Sequence, residues 1–106
     1  MIMRRLFVSQ PMRGKTQEEI IERRNKAVEE LQLKLNEEFE VVDNYFTEDE
    51  PKDVKNSGVY WLGKSLELLS KCDLALFVDN WWEYRGCRIE LQVCGNYGME
   101  IREGRE

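Results

Sequence analysis

Residues 73–79 read DLALFVD, an uninterrupted apolar run with an aspartate at each end. A run of this length and composition is typical of a β-strand that is buried on both faces of a sheet. Residues 6–8, LFV, form a shorter apolar run that stops at polar, turn-forming residues, and residues 39–43, FEVVD, are also strand-like. We therefore predict a strand in each of these three segments.

The segments between the strands carry helical periodicity. Thr16 and Glu19 match a capping box, and the apolar residues that follow recur at helical spacing, which predicts an amphipathic helix over about 16–37. Leucines at helical spacing predict a second helix over 60–71. A third helix is predicted to end at Gly98 and to carry three residues on one face, Ile89, Val93 and Tyr97.

The remaining segments are predicted to be a loop, a short strand and a tail. Residues 44–58 include an acidic, helix-breaking stretch, and we expect an exposed loop whose charges form a solvated surface. Residues 99–101 begin a last short strand, and residues 102–106 are expected to be frayed. The resulting order, βαβαβαβ, predicts one α/β domain over residues 1–106. Its parallel sheet of about four strands has helices on both faces, in three layers joined by right-handed crossovers.

Composition excludes several classes of protein. Sixteen lysines and arginines against twenty-one acidic residues give a net charge of −5, so the average field repels nucleic acid polymers and anionic membranes. The chain has no histidine, which excludes Ser-His-Asp and Cys-His catalysis. Cys72, Cys87 and Cys94 lack CxxC spacing and are expected to be reduced thiols in a cytoplasmic protein. No apolar run suggests a signal peptide or a membrane span.

The loop after the first strand is a candidate anion site. In open α/β sheets, ligands bind outside the carboxyl ends of the strands. Residues 9–15, SQPMRGK, lead into a helix N-terminus, where free N–H groups and the helix dipole favour an anion. Arg13 and Lys15 add positive charge, and Gly14 allows close approach of the backbone to a phosphate. The same residues also fit a plain turn with two solvated cations, and composition alone leaves both interpretations open.

The loop after the strand at 73–79 is the second candidate. Trp81 and Trp82 lie in a polar loop beside arginine, which suits stacking on a nucleobase, although either ring also suits a cap over the core. Glu90 lies one turn after Gly86, and its helical spacing is predicted to point it away from the core-facing stripe and into the crevice. A partly desolvated carboxylate there is equipped to attack an anomeric carbon. The alternative for a lone glutamate on a helix is a solvated surface residue.

Three segments in order resemble the nucleoside 2-deoxyribosyltransferase-like superfamily, and more closely its small members common in bacteria and phages. They are LFVSQPMRGK at 6–15, SLELLSKCDLALFV at 65–78 and RGCRIELQVCGNYG at 85–98, so the resemblance spans nearly the whole chain. The matching features are the loop Gln10-Pro11-Met12, the pair Cys72-Asp73, Gly86 followed four residues later by Glu90, and Gly98 at the end of the helix.

The resemblance implies a flavodoxin-like parallel sheet and a glutamate nucleophile, matched here by Glu90, that forms a covalent glycosyl-enzyme intermediate. Transfer to another base makes such a protein a transferase, and transfer to water makes it an N-glycosidase. In the branch that hydrolyses deoxynucleoside 5′-monophosphates, the loop after the first strand contacts the sugar-phosphate. That implies sugar-phosphate contacts from Gln10, Met12, Arg13 and Gly14. The predicted substrate-binding set as a whole also includes Ser9, Trp81, Trp82 and Gly86.

The chain also departs from the family pattern. Tyr84 stands two residues before the motif glycine, where the family usually has Asp or Ser. Ser65 stands at about the position of an aspartate in the deoxyribosyltransferases, and Gln10 stands where glycine is common. Asp79, at the end of the third strand, is then the candidate to assist the departing base.

Three hypotheses for function follow. The first is a nucleotide or deoxynucleoside N-glycosidase or 2-deoxyribosyltransferase, in which Glu90 attacks C1′, Asp79 or a water assists the base, and Trp81 and Trp82 stack on it. The second is a nucleotide-binding protein, a sensor or sink, that holds its ligand without turnover. The third is an oligomeric interaction module anchored by the two tryptophans. The glycosyl chemistry requires neither a metal nor an organic cofactor, and the resemblance implies a homo-oligomer, dimer or larger.

Overall fold

A computed structural model describes residues 2–104 of the chain. Within them, a four-stranded parallel sheet has the strand order β2-β1-β3-β4. The elements in chain order are β1 (Arg4–Ser9), α1 (Gln17–Leu35), β2 (Phe39–Val41), α2 (Ser57–Leu69), β3 (Leu74–Val78), a 3-10 turn (Trp81–Glu83), α3 (Arg85–Asn96) and β4 (Glu100–Gly104). The predicted α/β class and the parallel sheet of four strands are confirmed.

The sheet lies between two helical layers. Successive side chains of a strand point to opposite faces, so Leu6 and Val8 of β1 pack with α1, whereas Phe7 packs with α2 and α3. All five residues of β3 are buried, which explains the continuous apolar run that decides the fold. The helices change face where the strand order reverses, so the crossovers share one hand and the architecture is three-layered and flavodoxin-like. No helix among residues 2–104 is long and apolar enough to cross a bilayer.

The predicted capping box fixes the start of α1. The Thr16 hydroxyl accepts a hydrogen bond from the Glu19 N–H at 3.1 Å, and the Glu19 carboxylate accepts one from the Thr16 N–H at 2.8 Å. These bonds satisfy N–H groups that a helix N-terminus otherwise leaves free. The helix ends at Asn36, which adopts a left-handed conformation with φ 51°.

Two predicted segments differ from the structure. The last strand is Glu100–Gly104, so residues 102–104 are paired along β3 instead of frayed, while residues 105 and 106 lie outside the described part of the chain. The sequence of this strand has little apolar pattern to predict it. The strand is ordered by backbone pairing with β3 and by contacts such as the Arg4–Glu100 ion pair at 2.8 Å. The loop after β2 is also only partly exposed, because Asn44 is buried and the two residues after it are half-buried.

Candidate functional site

A cavity of about 440 Å³ lies at the carboxyl end of β1 and the start of α3. The chain leaves β1 toward β2 and leaves β3 toward β4, so the cavity lies where the connections diverge, which is where open α/β sheets bind ligands. Its volume suits a small molecule. The lining comes from four segments: Ser9, Gln10, Met12 and Arg13; Asn44, Tyr45 and Phe46; Gly58, Trp61, Leu62 and Ser65; and Tyr84, Arg85, Gly86, Cys87, Ile89 and Glu90.

Glu90 and Ser9 meet in the wall of this cavity. Ser9 is the last residue of β1, and its hydroxyl donates a hydrogen bond of 2.6 Å to the carboxylate of Glu90, in the second turn of α3. Both side chains are almost fully buried, with Glu90 only 7% exposed. Among the described residues, Ser9 is the only donor to Glu90, and no cation is paired with this carboxylate. A buried carboxylate with a single donor retains lone pairs for a ligand.

Burial raises the pKa of Glu90 from its ordinary 4.5 to about 7, and the bond from Ser9 opposes that rise in part. The carboxyl group therefore exchanges its proton close to neutral pH. Titratable groups with strongly raised or lowered pKa values in clefts are candidates for catalysis. Among residues 2–104, no other residue that lines the cavity has a carboxyl group.

Removing the Ser9 hydroxyl is expected to raise the pKa of Glu90 further, by about 1 pH unit, because a hydrogen bond to an ionised group contributes about 1.5–3 kcal/mol. The measurement is an NMR titration of the Glu90 carboxyl in wild type and in Ser9→Ala. Ser65→Ala is the control, since Ser65 lines the same cavity without bonding to Glu90. An unchanged pKa in Ser9→Ala would contradict this account.

Asn44 brings the loop after β2 to the cavity. The β1–β2 ladder continues to the bond from the Val42 N–H to the Leu6 carbonyl, at 3.1 Å. The next carbonyl of β1, that of Val8, accepts instead from the Asn44 side-chain amide at 2.8 Å. Arg24 of α1 donates to the Asn44 side-chain oxygen at 3.3 Å. Asn44 thus substitutes for a strand residue, and the main chain is free to turn toward the cavity.

The loop supplies one part of an aromatic wall. The rings of Phe46 and Trp61 are stacked, with centroids 5.4 Å apart and planes inclined by 26°. Trp61 is on α2, and its indole N–H donates to the carboxylate of Glu50 at 3.0 Å. Glu50 also accepts from the Ser57 hydroxyl at 2.7 Å, which ties the loop to the first turn of α2. The indole orientation is therefore fixed by both stacking and hydrogen bonding.

Two arginines give one side of the cavity a positive charge. The Arg13 guanidinium lies over the Tyr84 ring at 5.8 Å from its centroid, and Arg85 begins α3. A Cβ added at Gly58 would lie 3.5 Å from Arg85 Nη2, so the Arg85 side chain reaches across to α2. Neither arginine pairs with a carboxylate in the described part of the chain. The two guanidinium groups are therefore available to an anion.

The structure brings most of the predicted site residues together. Of the predicted set, the cavity wall contains Ser9, Gln10, Met12, Arg13, Gly86 and Glu90. Gly14 is not in the wall. It has a φ of +80° and lies inside a turn closed by the bond from the Lys15 N–H to the Met12 carbonyl at 3.1 Å. Gly14 thus serves the turn conformation that glycine favours.

Three other predicted residues lie outside the wall. Asp79 is engaged by Arg23, whose guanidinium donates to both carboxylate oxygens at 2.8–3.2 Å. Trp81 packs edge-on against Phe77 of β3 and donates its indole N–H to Glu103 at 2.8 Å, so it caps the core, as the alternative interpretation holds. Trp82 is 44% exposed and meets Trp81 edge-on. Base stacking by these two tryptophans and assistance by Asp79 are not supported by this placement.

The predicted apolar face of the third helix is wrong in part. The buried residues of α3 are Cys87, Glu90 and Cys94, whereas Tyr97 is 81% exposed. Glu90 thus lies on the buried stripe, and the cavity opens beside that stripe. The sequence did not predict this stripe because two of its three residues are cysteines, which give a weak apolar signal. It did not predict the aromatic wall either, because Phe46 and Trp61 are far in the sequence from the strand ends where a ligand site is expected.

The cysteines form no disulfide, and burial raises the pKa of Cys87, which lines the cavity, to about 11. A thiol in this condition is a poor nucleophile. Among residues 2–104, no group of three or more cysteine and acidic side chains is placed to hold a metal ion.

No protein-family model matches this sequence, and comparison with curated proteins and with solved structures likewise gives no match.

Proposed function

We propose that this chain is an N-glycosidase or 2-deoxyribosyltransferase that acts on deoxynucleosides or their 5′-monophosphates through a covalent intermediate on Glu90. The observation that carries the proposal is the buried Glu90 carboxylate, which among residues 2–104 is bonded only by Ser9. It faces a cavity that also holds aromatic rings and two arginines, neither of which has a carboxylate partner in that part of the chain. These groups match the electrophilic carbon, the base and the phosphate of a nucleotide. The resemblance to the nucleoside 2-deoxyribosyltransferase-like superfamily supports the same chemistry.

The reaction has two steps in this proposal. In the first, a Glu90 carboxylate oxygen attacks C1′, an ester bond forms, and the glycosidic C1′–N bond breaks with its electron pair leaving on the base. The base takes a proton from solvent. In the second step, water attacks C1′ and loses a proton to solvent, and the ester bond breaks to restore the Glu90 carboxylate. If a second base attacks instead of water, the product is a new nucleoside.

Ser9 contributes to this chemistry through Glu90. Its hydroxyl fixes one carboxylate oxygen at 2.6 Å and favours the ionised, nucleophilic form. Burial acts in the opposite sense, so the activity is expected to rise as pH increases through about 7.

In this proposal, Arg13 and Arg85 bind the 5′-phosphate. Replacing Arg85 or Arg13 with methionine is expected to lower kcat/KM for a deoxynucleoside 5′-monophosphate by about 10- to 100-fold, because each change removes a charge-assisted contact. Activity on the unphosphorylated deoxynucleoside is expected to change less than threefold. Steady-state kinetics on both substrates checks this.

Arg88→Met is the matched control for the arginine variants. Arg88 is exposed on the same helix as Arg85 and bonds to the Trp82 carbonyl outside the cavity. Equal losses on phosphorylated and unphosphorylated substrates in Arg85→Met would count against a phosphate contact.

A nucleotide-binding protein without turnover is the second candidate. It is favoured by one observation: Asp79 is held by Arg23, and the described residues of the cavity wall include no carboxyl group besides Glu90 to protonate the departing base. Proton donation to a leaving group contributes about 100- to 10,000-fold to such reactions.

A panel of ribo- and deoxyribonucleosides and their 5′-monophosphates tests the proposal. Each compound is incubated with the protein and the mixture is separated by chromatography, with a second free base present to detect exchange. Mass spectrometry of acid-quenched protein tests for a sugar adduct on the peptide that contains Glu90. Base release supports a glycosidase, base exchange supports a transferase, and calorimetric binding without either product supports the second candidate.

The proposal also covers the oligomeric state and the cellular location of the protein. We expect a homo-oligomer of two or more copies, which light scattering at micromolar concentration measures. We also expect a cytoplasmic location, where unbridged cysteines such as those of this chain persist as thiols.

A further inference from the structure

The aromatic wall has a geometry that the proposed reaction does not by itself explain. Four aromatic residues line the cavity: Tyr45, Phe46, Trp61 and Tyr84. The Tyr84 ring is already covered by the Arg13 guanidinium. Phe46 and Trp61 are stacked on each other. A planar ligand ring can extend such a stack with little further loss of side-chain conformational entropy.

The Trp61 indole is held from two sides. Tyr60 meets it edge-on, with centroids 4.9 Å apart and planes inclined by 85°, and the Glu50 carboxylate accepts its N–H at 3.0 Å. The second oxygen of Glu50 is bonded to the Ser57 hydroxyl at 2.7 Å. The indole is therefore preorganised before any ligand arrives, which reduces the entropy lost on binding.

Glu50 also consumes the only hydrogen-bond donor of the indole. Because that N–H is engaged, Trp61 offers a ligand its ring surface and no hydrogen-bond donor. Stacking on an aromatic side chain tolerates different bases because every base has a π-face, and a larger ring system gains more contact.

We propose that the stacked rings of Phe46 and Trp61 hold the nucleobase, and that Glu50 is the positioning residue that fixes the indole. This inference rests on the proposed function, since it assigns the base of the same substrate. It predicts that purine and pyrimidine nucleotides both bind, with purines binding more tightly.

Calorimetric titration in a Glu90→Gln background, which prevents turnover, tests the subsite. The probes are dGMP, dCMP and 2-deoxyribose 5-phosphate, the last of which has no base. Trp61→Leu is expected to weaken binding of dGMP by about 10- to 100-fold and of dCMP by a smaller factor, and to leave the affinity for 2-deoxyribose 5-phosphate within twofold. Trp82→Leu is the matched control, because Trp82 is exposed and outside the cavity wall.

Variants of Glu50 test the positioning role without removing a ring. Glu50→Ala is expected to weaken the binding of dGMP by about 3- to 10-fold. Glu50→Gln keeps an acceptor for the indole N–H and is expected to retain most of the wild-type affinity. Asp49→Ala, at the neighbouring exposed acid, is expected to have no effect.

The outcomes separate the two proposals. Suppose that the nucleotides bind to the protein. If Trp61→Leu leaves their affinities unchanged, or weakens the binding of 2-deoxyribose 5-phosphate by the same factor, the base subsite is overturned while the proposed function stands. If Glu50→Ala has no effect on dGMP, the positioning role of Glu50 is overturned. If neither the nucleotides nor the sugar phosphate binds, the proposed function falls and the subsite with it.

Discussion

Replacing Glu90 with glutamine is expected to reduce base release from the preferred nucleotide by at least about 1,000-fold. The amide keeps the size and shape of the side chain but is a far weaker nucleophile than a carboxylate. The described part of the chain places no other carboxyl group in the cavity wall to take over the attack on C1′. The measurement is the initial rate of base release for wild type and variant at pH 8, where the Glu90 carboxyl is mostly ionised, since its pKa is about 7.

Two further results belong to this prediction. The sugar adduct found on wild-type protein is expected to be missing from Glu90→Gln, whereas nucleotide binding persists. Glu67→Gln makes the same chemical change at an exposed position of α2 and is expected to retain the wild-type rate. A Glu90→Gln rate within tenfold of wild type would remove Glu90 from the mechanism.

The same substitution is expected to stabilise the protein at alkaline pH. The folded state holds the Glu90 proton up to about pH 7, whereas an unfolded glutamate loses it near 4.5. Stability associated with Glu90 is therefore fully present below pH 4.5 and is lost as pH rises to about 7. At pH 8 the ionised, buried carboxylate costs about 3 kcal/mol, and glutamine avoids this cost.

Urea denaturation of both proteins at several pH values between 4 and 8 measures this effect. The difference in the free energy of unfolding is expected to be small at pH 4 and to grow in favour of Glu90→Gln up to about pH 7. Comparison between variants is needed because Arg4 lowers the pKa of Glu37 and Glu100, and those carboxylates make both proteins less stable in acid. A difference that does not vary with pH would show that Glu90 has an ordinary pKa.

Sequence reasoning succeeded where one local rule determined the outcome. The run at 73–79 is apolar on both faces because β3 is central in the sheet, and the Thr16–Glu19 box needs only four consecutive residues. It predicted the start of β4 but missed residues 102–104, which are ordered by pairing with β3. Such pairing depends on segments distant in the chain.

The candidate site was predictable only in part for the same reason. Ser9 ends β1 and Glu90 lies in the helix after the β3 loop, so both were candidates from the sequence, but their contact joins residues 81 positions apart. The contributions of Phe46, Trp61 and Arg85 arise from the path of a loop and the packing of two helices, which neither periodicity nor spacing encodes. Composition and spacing also left open whether the tryptophans after β3 stack on a ligand or cap the core, and the structure shows that Trp81 packs against the core whereas Trp82 is exposed.

The Asn44 side chain allows the loop after β2 to change in sequence without disturbing the sheet. Because the Asn44 amide donates to the Val8 carbonyl, residues 45–56 are not needed to pair with that carbonyl of β1. Replacing them therefore leaves the Val8 carbonyl hydrogen-bonded. Changes in loop length add little closure entropy once the ends are fixed. Relatives of this chain are therefore free to diverge in this segment while keeping Asn44, and a designer can graft a different loop here to alter ligand preference on an intact scaffold.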